Sequence, residues 1–185
     1  NLTVTMTGNE SGTATGTSTS VSFSEIEQII LGQGNDSFDA STTTGGVNVN
    51  AGAGNDTLIG GAGNDTIISH EGNDVVVGGA GDDLISSSFG ADSISGGVGN
   101  DLIDLGIPDG VAQTIYLADG EGDDTATWFE APIDNGDGTF TGVDQLDVSS
   151  LTDAQGEYVN VNDVTVSDDG NGNAVLTFPN GETIT

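Results

Sequence analysis

The stretch that decides the fold reads AGAGNDTLI GGAGNDTII SHEGNDVVV GGAGDDLIS SSFGADSIS GGVGNDLID, residues 51–104. It is one nonapeptide written six times, and the sixth place of each copy is an aspartate: Asp56, Asp65, Asp74, Asp83, Asp92 and Asp101. The eighth place is always aliphatic: Leu58, Ile67, Val76, Ile85, Ile94 and Ile103. A short fixed period is typical of a solenoid, in which one structural unit stacks on copies of itself. The sequence therefore predicts an all-β fold, a parallel β-roll with two nonapeptides per coil.

The repeat continues imperfectly on both sides. Residues 32–36 form a first glycine turn that ends in Asp36, and residues 45–49 form a degenerate unit with Val47 in the place of the aspartate. Residues 120–126 repeat the pattern distantly. Thr alternates with apolar residues near the N-terminus, and hairpin-like strands follow Trp128, so strands are expected at both ends. We predict an N-terminal β cap over residues 1–31, a β-roll over 32–127, and a C-terminal β-hairpin cap or flanking segment over 128–185.

The charge balance is far from that of an ordinary globular domain. The chain has 30 Asp and Glu, no Lys or Arg and one His, which gives a formal net charge of -30. Only His70 could form a side-chain salt bridge, and a composition of this kind by default indicates disorder. Bound cations, or a strict period that pairs the backbone, can offset the repulsion. The charge argues against nucleic acid and against anionic membranes as partners.

Other features of the sequence bound the class of protein. Cysteine is absent, so neither disulfides nor thiolate metal sites are available. We find no apolar run of about 18 residues that would span a membrane and no signal peptide. Because Thr185 falls in what reads as the middle of a strand, we expect the chain to be a piece of a longer parent protein.

Stacked coils place residues eighteen positions apart next to each other. With parallel strands about 4.7 to 4.9 Å apart, Asp56, Asp74 and Asp92 form one column of carboxylates, and Asp65, Asp83 and Asp101 form the other. Adjacent like charges repel by about 1 kcal/mol even in water. A hard cation midway would lie roughly 2.4 Å from each carboxylate, which suits calcium, whereas magnesium prefers a strict octahedron and keeps its waters. We therefore predict calcium ions between successive coils.

Glycine completes the predicted sites. Two carboxylates cannot supply the six to eight oxygens that calcium takes, so backbone carbonyls must turn inward, which needs backbone angles open mainly to glycine. His70 in a glycine place is tolerable because His is less averse to positive φ than most residues. One buried aliphatic per nonapeptide is too little to offset the chain entropy. We therefore predict a chain that is disordered without calcium and folded with it.

The nonapeptides resemble the RTX repeat of type I-secreted bacterial proteins, whose pattern is Gly-Gly-x-Gly-x-Asp-x-apolar-x. Residues 60–68, 78–86 and 96–104 match this pattern at every fixed place. The resemblance covers about residues 32–127 and implies a parallel β-roll, calcium between turns, export of the unfolded chain and folding outside the cell. It assigns the ligand role to Asp56, Asp65, Asp74, Asp83, Asp92 and Asp101, and by extension to Asp36. The expected carbonyl-presenting turns contain Gly52, Gly54, Gly61, Gly63, Gly72, Gly79, Gly81, Gly97 and Gly99.

The expected number of calcium ions is roughly five. They would lie between Asp36 and Asp56, Asp56 and Asp74, Asp74 and Asp92, Asp65 and Asp83, and Asp83 and Asp101. The column through Asp65 keeps its double glycines and is expected to bind first. The other column has diverged at His70 and Ser88, and the unit at Val47 has lost its ligand.

The predicted function is that of a secreted, non-enzymatic calcium-binding module that spaces or rigidifies its neighbours. Ser-His-Asp catalysis through His70 is disfavoured because no nucleophile motif is present, and glycosidase chemistry is disfavoured because the carboxylates serve the columns. One alternative is an adhesion or ice-binding module with an outward row of Thr. Thr57 and Thr66 begin such rows, but Val75 and Leu84 end them. A second alternative is the non-catalytic tail of a secreted enzyme.

The outward places of the repeat carry more apolar residues than a solvated surface needs. They include Ile59, Ile68, Val75, Val77, Leu84 and Leu102. We therefore predict that a flanking segment or a second copy of the chain covers part of this surface.

Overall fold

The structure is a computed structural model that describes residues 1–9, 11–16, 20–24, 27–107, 109–118, 120, 122–129, 133–134, 140–141, 144–152, 156–159, 165–168, 174–179 and 183–185. Every regular element in these residues is a β-strand. The described part of the chain contains no helix of the length and apolarity that crossing a membrane requires. The all-β fold class expected from the repeat is confirmed.

Twenty strands run through the described residues. In chain order they are β1 (Thr3–Gly8), β2 (Ser11–Thr15), β3 (Ser20–Ser24), β4 (Ile29–Gln33), β5 (Ser37–Asp39), β6 (Asn48–Ala53), β7 (Thr57–Ile59), β8 (Thr66–Glu71), β9 (Val75–Ala80), β10 (Leu84–Phe89), β11 (Ser93–Val98), β12 (Leu102–Asp104), β13 (Thr114–Ala118), β14 (Asp123–Thr127), β15 (Ile133–Asp134), β16 (Phe140–Thr141), β17 (Gln145–Ser150), β18 (Thr165–Asp168), β19 (Ala174–Thr177) and β20 (Thr183–Ile184).

Successive strands of the repeat alternate between two large sheets. Sheet 1 has the order β17-β13-β11-β9-β7-β5-β1-β2-β3, and sheet 2 has the order β18-β19-β20-β14-β12-β10-β8-β6-β4. Neighbouring repeat strands are parallel, with Leu58 opposite Val76 in sheet 1 and Ile67 opposite Ile85 in sheet 2. Each coil thus uses two nonapeptides, as predicted, and the molecule is a parallel β-solenoid.

The core is the column of inward side chains between the sheets. The six aliphatics that follow the repeat aspartates are at most 1% exposed: Leu58, Ile67, Val76, Ile85, Ile94 and Ile103. Phe38 and Val49 continue the column at one end, and Ile115 continues it at the other. The period of two along each strand is what turns one side chain inward while its neighbours face out.

The two ends of the solenoid are closed by different strand arrangements. At the N-terminal end β1 pairs parallel to β5, and β2 and β3 follow as an antiparallel extension of sheet 1. In sheet 2 the first solenoid strand is β4, which starts at Ile29, inside the segment expected to be a cap. At the other end β17 pairs parallel to β13 and β20 pairs parallel to β14. Strands β18, β19 and β20 are antiparallel, and much of the predicted 128–185 segment lies outside the described residues.

The outward apolar residues divide between the two sheets. Val75 is 45% exposed in sheet 1, whereas Leu84 and Leu102 are each 42% exposed in sheet 2. The register also places Thr57 beside Val75 and Thr66 beside Leu84, so neither threonine starts a continuous row. The expected covering of this surface by another segment or copy stays a prediction.

Candidate metal centre

The repeat aspartates form two columns, one at each set of turns. Column A consists of Asp36, Asp56, Asp74 and Asp92, and column B consists of Asp65, Asp83, Asp101 and Asp124. All eight side chains are at most 4% exposed. The structure therefore brings together, and buries, every aspartate that the sequence placed in the ligand role. It adds Asp124 to the end of column B.

A ladder of hydrogen bonds connects the rungs of each column. The N–H of Asp56 donates to Oδ1 of Asp74 at 2.8 Å, and the N–H of Asp83 donates to Oδ1 of Asp101 at 2.7 Å. Equivalent bonds of 2.7 to 3.0 Å run from Asp36 to Asp56, Asp74 to Asp92, Val47 to Asp65, Asp65 to Asp83 and Asp101 to Asp124. Each carboxylate is thus anchored through Oδ1 to the coil before it.

The second carboxylate oxygen is different. Oδ2 is buried and accepts no hydrogen bond within the described residues in Asp36, Asp56, Asp74, Asp83 and Asp101. A buried carboxylate oxygen without a partner is costly, and a cation removes that cost. Because hard oxygen ligands suit calcium, these five atoms fit a calcium site. No group of three or more His, Cys, Asp or Glu converges in the part of the chain described, so carbonyl oxygens must complete the coordination.

The turns before these five aspartates share one backbone conformation. In each turn φ is positive at the fourth and second residues before the aspartate. The values are 107° and 104° for Gly32 and Gly34, 99° and 136° for Gly52 and Gly54, 74° and 135° for His70 and Gly72, 125° and 119° for Gly79 and Gly81, and 102° and 150° for Gly97 and Gly99. His70 adopts the conformation of a glycine, so the divergent sequence at this turn keeps the same backbone path.

The turns of Asp65 and Asp92 have a different conformation. Neither Gly61 nor Gly63 has a positive φ, and the N–H of Gly61 donates to Oδ2 of Asp65 at 2.7 Å. At Asp92, Oδ2 accepts from the hydroxyl of Ser87, and Ser88 lacks the positive φ that His70 has at the matching place. In both turns the protein itself satisfies the oxygen that is left unpaired elsewhere. Residues 60–68 match the repeat pattern at every fixed place, yet their turn departs from the conformation expected of it.

The cause lies in the coil that precedes Gly61. Thr43 belongs to the stretch in which the spacing from Asp36 to Asp56 is twenty residues instead of eighteen. A Cβ on Gly61 would lie 2.0 Å from the hydroxyl oxygen of Thr43. The N–H of Ala62 donates to the carbonyl of Thr43 at 3.1 Å. The Asp65 turn therefore packs on an irregular loop instead of on another repeat turn, and its backbone follows that loop.

Glycine is required where one turn stacks directly on the next. A Cβ on Gly97 would lie 2.1 Å from the carbonyl oxygen of Gly79 in the coil before it. A distance below 3 Å to backbone cannot be relieved by rotating a side chain, so the coils can approach this closely only with glycine there. The spacing of the columns thus depends on the glycines as well as on the strands.

A second ladder, which sequence reasoning missed, runs one residue before the aspartates. The N–H of Asn73 donates to Oδ1 of Asn55 at 3.0 Å, and the N–H of Asn100 donates to Oδ1 of Asp82 at 3.0 Å. This ladder runs in the opposite direction to the aspartate ladder, since each side chain here accepts from the coil that follows it. The Asn or Asp that precedes most repeat aspartates was the available signal. The two ladders together fix the turns of successive coils against each other.

Burial changes the acidity of the columns. The pKa of Asp83 is raised to about 7, chiefly because its charged form is poorly solvated there and also because of the nearby carboxylates of Asp65, Asp101 and Asp82. Burial is also the main cause of the raised pKa of Asp56, Asp65, Asp92 and Asp101. Without a cation these five carboxylates therefore hold protons more strongly than an exposed aspartate does.

Two sheets of parallel repeat strands, joined by stacked turns that contain glycine and aspartate, define a calcium-binding β-roll. The profile of the RTX calcium-binding nonapeptide repeat, which contains four copies, matches residues 48–76 and 77–107. Residues 48–107 thus belong to the RTX repeat family, whose β-roll is a structural calcium-binding domain and not a catalytic fold. Searches of curated proteins and of solved structures found no match.

Proposed function

We propose that this chain is a secreted module that folds when it binds calcium outside the cell and then acts as a rigid spacer within a larger parent protein. The observation that carries the proposal is the set of five buried Oδ2 atoms that accept no hydrogen bond from any described residue, each following a turn with two positive φ angles. The whole chain has a net charge of -30 and no Lys or Arg. Burying five carboxylates in such a chain opposes folding unless a cation is bound.

The same geometry ranks the candidate sites. Between Asp36 and Asp56, Asp56 and Asp74, and Asp83 and Asp101, both flanking aspartates have an unpaired Oδ2. Between Asp74 and Asp92, and between Asp65 and Asp83, only one does. We infer that the first three gaps bind calcium most tightly. Column B would then not bind first as a whole, because the Asp65 turn satisfies its own carboxylate.

The mechanism follows from the ladder. Oδ1 of each aspartate aligns its turn with the coil before it. Oδ2 and the turn carbonyls would hold the ion, which supplies the positive charge that the side chains lack. Binding in one gap orders two turns at once, so each ion lowers the entropy cost of the next site. The family context supports a chain that stays unfolded at low calcium during export and folds outside.

Circular dichroism during a calcium titration, reversed with EDTA, tests the proposal. We expect a largely unfolded spectrum in EDTA, a cooperative gain of β-structure with calcium, and little response to the same concentration of magnesium. A chain with full β-structure in EDTA would overturn the claim that calcium drives folding. If magnesium induced the β-structure and calcium did not, the assignment of the ion would be overturned.

A further inference from the structure

The end of column B lies outside the nonapeptide repeats. Asp124 is twenty-three residues after Asp101, and the repeat family profile ends at residue 107. Its side chain is 3% exposed, and its Oδ1 accepts the N–H of Asp101 at 3.0 Å. Asp124 therefore occupies a rung of the ladder without belonging to the repeat that defines the other rungs.

The turn before Asp124 has the conformation of the five turns with an unpaired Oδ2. Gly120 has a φ of 83° and Gly122 a φ of 113°, at the same fourth and second places before the aspartate. A Cβ on Gly122 would lie 2.0 Å from the carbonyl oxygen of Gly99. One coil earlier, a Cβ on Gly99 would lie 2.1 Å from the carbonyl oxygen of Gly81. The turn thus stacks on the repeat as if it were another repeat turn.

A second observation, on the rung before Asp124, points to a ligand here; the oxygen concerned also borders the gap between Asp83 and Asp101. Asp101, the rung to which Asp124 is bonded, is 2% exposed, and its Oδ2 accepts no hydrogen bond within the described residues. Asp124 thus places a second buried carboxylate on the rung next to an Asp101 oxygen that no donor among the described residues reaches. The chemistry of the gap is that of a hard divalent cation with oxygen ligands.

This rung also anchors the C-terminal strand. Ile184 in β20 lies opposite Asp124, and the N–H of Thr185 donates to the carbonyl of Asp124 at 3.1 Å. The N–H and hydroxyl of Thr183 both donate to Oδ1 of Asp123, at 3.1 and 2.8 Å. Ordering of the Asp124 turn therefore orders the edge on which a strand about sixty residues away docks.

We propose that the turn ending in Asp124 forms, with Asp101, an additional calcium site outside the nonapeptide repeats, and that this site couples calcium binding to docking of β20. The inference rests on the proposed calcium-dependent folding. It extends the calcium-binding region beyond the residues that match the repeat family. It also gives the C-terminal segment a defined role, because β20 would dock only when the gap between Asp101 and Asp124 holds an ion.

The test compares Asp124→Asn with Asp123→Asn in the full chain, using calcium as the only ligand. Both variants lose one negative charge. Asn at position 123 keeps an acceptor oxygen, as Asn100 does in the same ladder, so its hydrogen bonds can be retained. We expect calorimetric titration of Asp124→Asn to show one calcium ion fewer than the wild type, and Asp123→Asn to show the wild-type number.

Amide hydrogen exchange in calcium provides the second measurement. We expect Asp124→Asn to lose protection at Thr183 and Thr185 while the amides of Ile85 and Ile94 stay protected. Gly122→Ala keeps the net charge but blocks stacking on Gly99, so it should lose the same ion and the same protection. If Asp124→Asn and Gly122→Ala both bind the wild-type number of calcium ions and both keep the wild-type protection of the Thr185 amide, the inference is overturned. Failure of the wild-type chain to bind calcium would instead overturn the proposed function itself.

Discussion

The backbone N–H of Asp83 lies 2.7 Å from Oδ1 of Asp101, one coil further along the solenoid. Oδ2 of Asp101 lies on the side of its own turn, where a Cβ on Gly96 would be 2.1 Å away. One oxygen of the carboxylate therefore aligns the coils, and the other is left for a cation. Because Asp101 has both tasks, loss of its carboxylate affects stacking and metal binding together.

Asp83→Asn should weaken calcium-driven folding far more than Asp65→Asn. Both variants remove one charge from column B, but Oδ2 of Asp83 is unpaired whereas Oδ2 of Asp65 accepts the N–H of Gly61. Contacts to a charged group contribute about 1.5 to 3 kcal/mol, so we expect the calcium midpoint of Asp83→Asn to rise about ten- to a hundredfold. Circular dichroism during calcium titration measures it. Equal midpoints for the two variants would contradict the distinction between the two turns.

Gly97→Ala should prevent normal stacking of the coils in column B. Its Cβ would meet the carbonyl oxygen of Gly79 at 2.1 Å, in addition to the strain of a φ of 102°. Gly110→Ala is the matched control, because φ is 78° there and a Cβ would meet nothing within 4 Å. We expect Gly110→Ala to cost about 1 to 2 kcal/mol in the free energy of unfolding with calcium bound. Gly97→Ala should cost clearly more, and similar unfolding midpoints for both would contradict a role in coil contact.

His70→Gly should stabilise the calcium-bound form. His70 has a φ of 74°, a conformation that costs a residue with a Cβ about 1 to 2 kcal/mol, and glycine avoids part of this cost at the expense of chain entropy. We expect a gain of about 0.5 to 1 kcal/mol, measured by thermal unfolding in calcium. Ser88→Gly, at the matching place in the next coil but without a positive φ, should bring no gain. Stabilisation by Ser88→Gly alone would show that the two turns have been assigned the wrong conformations.

Acid should favour the metal-free roll and weaken calcium binding. The pKa of Asp83 is raised to about 7 in the fold, chiefly by burial, above its ordinary value near 4, so the folded chain holds this proton more strongly than the unfolded chain. The Asp83 carboxyl thus costs the metal-free fold nothing below about pH 4, and its cost grows until the pH passes about 7. Calcium that binds to the protonated roll must displace this proton.

Titrations across this range measure the effect. We expect the chain in EDTA to gain β-structure as the pH falls towards about 4, and calcium binding to this protonated roll to have a higher midpoint and to release protons. Calorimetry in buffers of different ionisation enthalpy counts the protons. Binding without proton release at about pH 4 would contradict the raised pKa of the carboxylates in the metal-free roll.

Much of the site could be predicted from the sequence because the repeat is strictly periodic. Two nonapeptides per coil bring Asp56 and Asp74 to adjacent rungs by arithmetic, and the same count places Ile67 over Ile85 in the core. Asp124 could not be placed in this way, since the twenty-three residues that separate it from Asp101 break the period. Its rung depends on a loop path that no spacing rule specifies.

The sequence by itself determined the solenoid, its two carboxylate columns and its need for a counter-charge, because these follow from a period of nine and from acidic residues without basic partners. Only the tertiary structure decided which turns leave Oδ2 unpaired. The Asp65 turn has the ideal sequence but packs on the irregular loop at Thr43, whereas the His70 turn departs from the pattern yet stacks on the regular turn at Gly52. At Asp65 the turn conformation follows the coil before it, since close backbone contact with the Thr43 loop leaves this turn little freedom of its own.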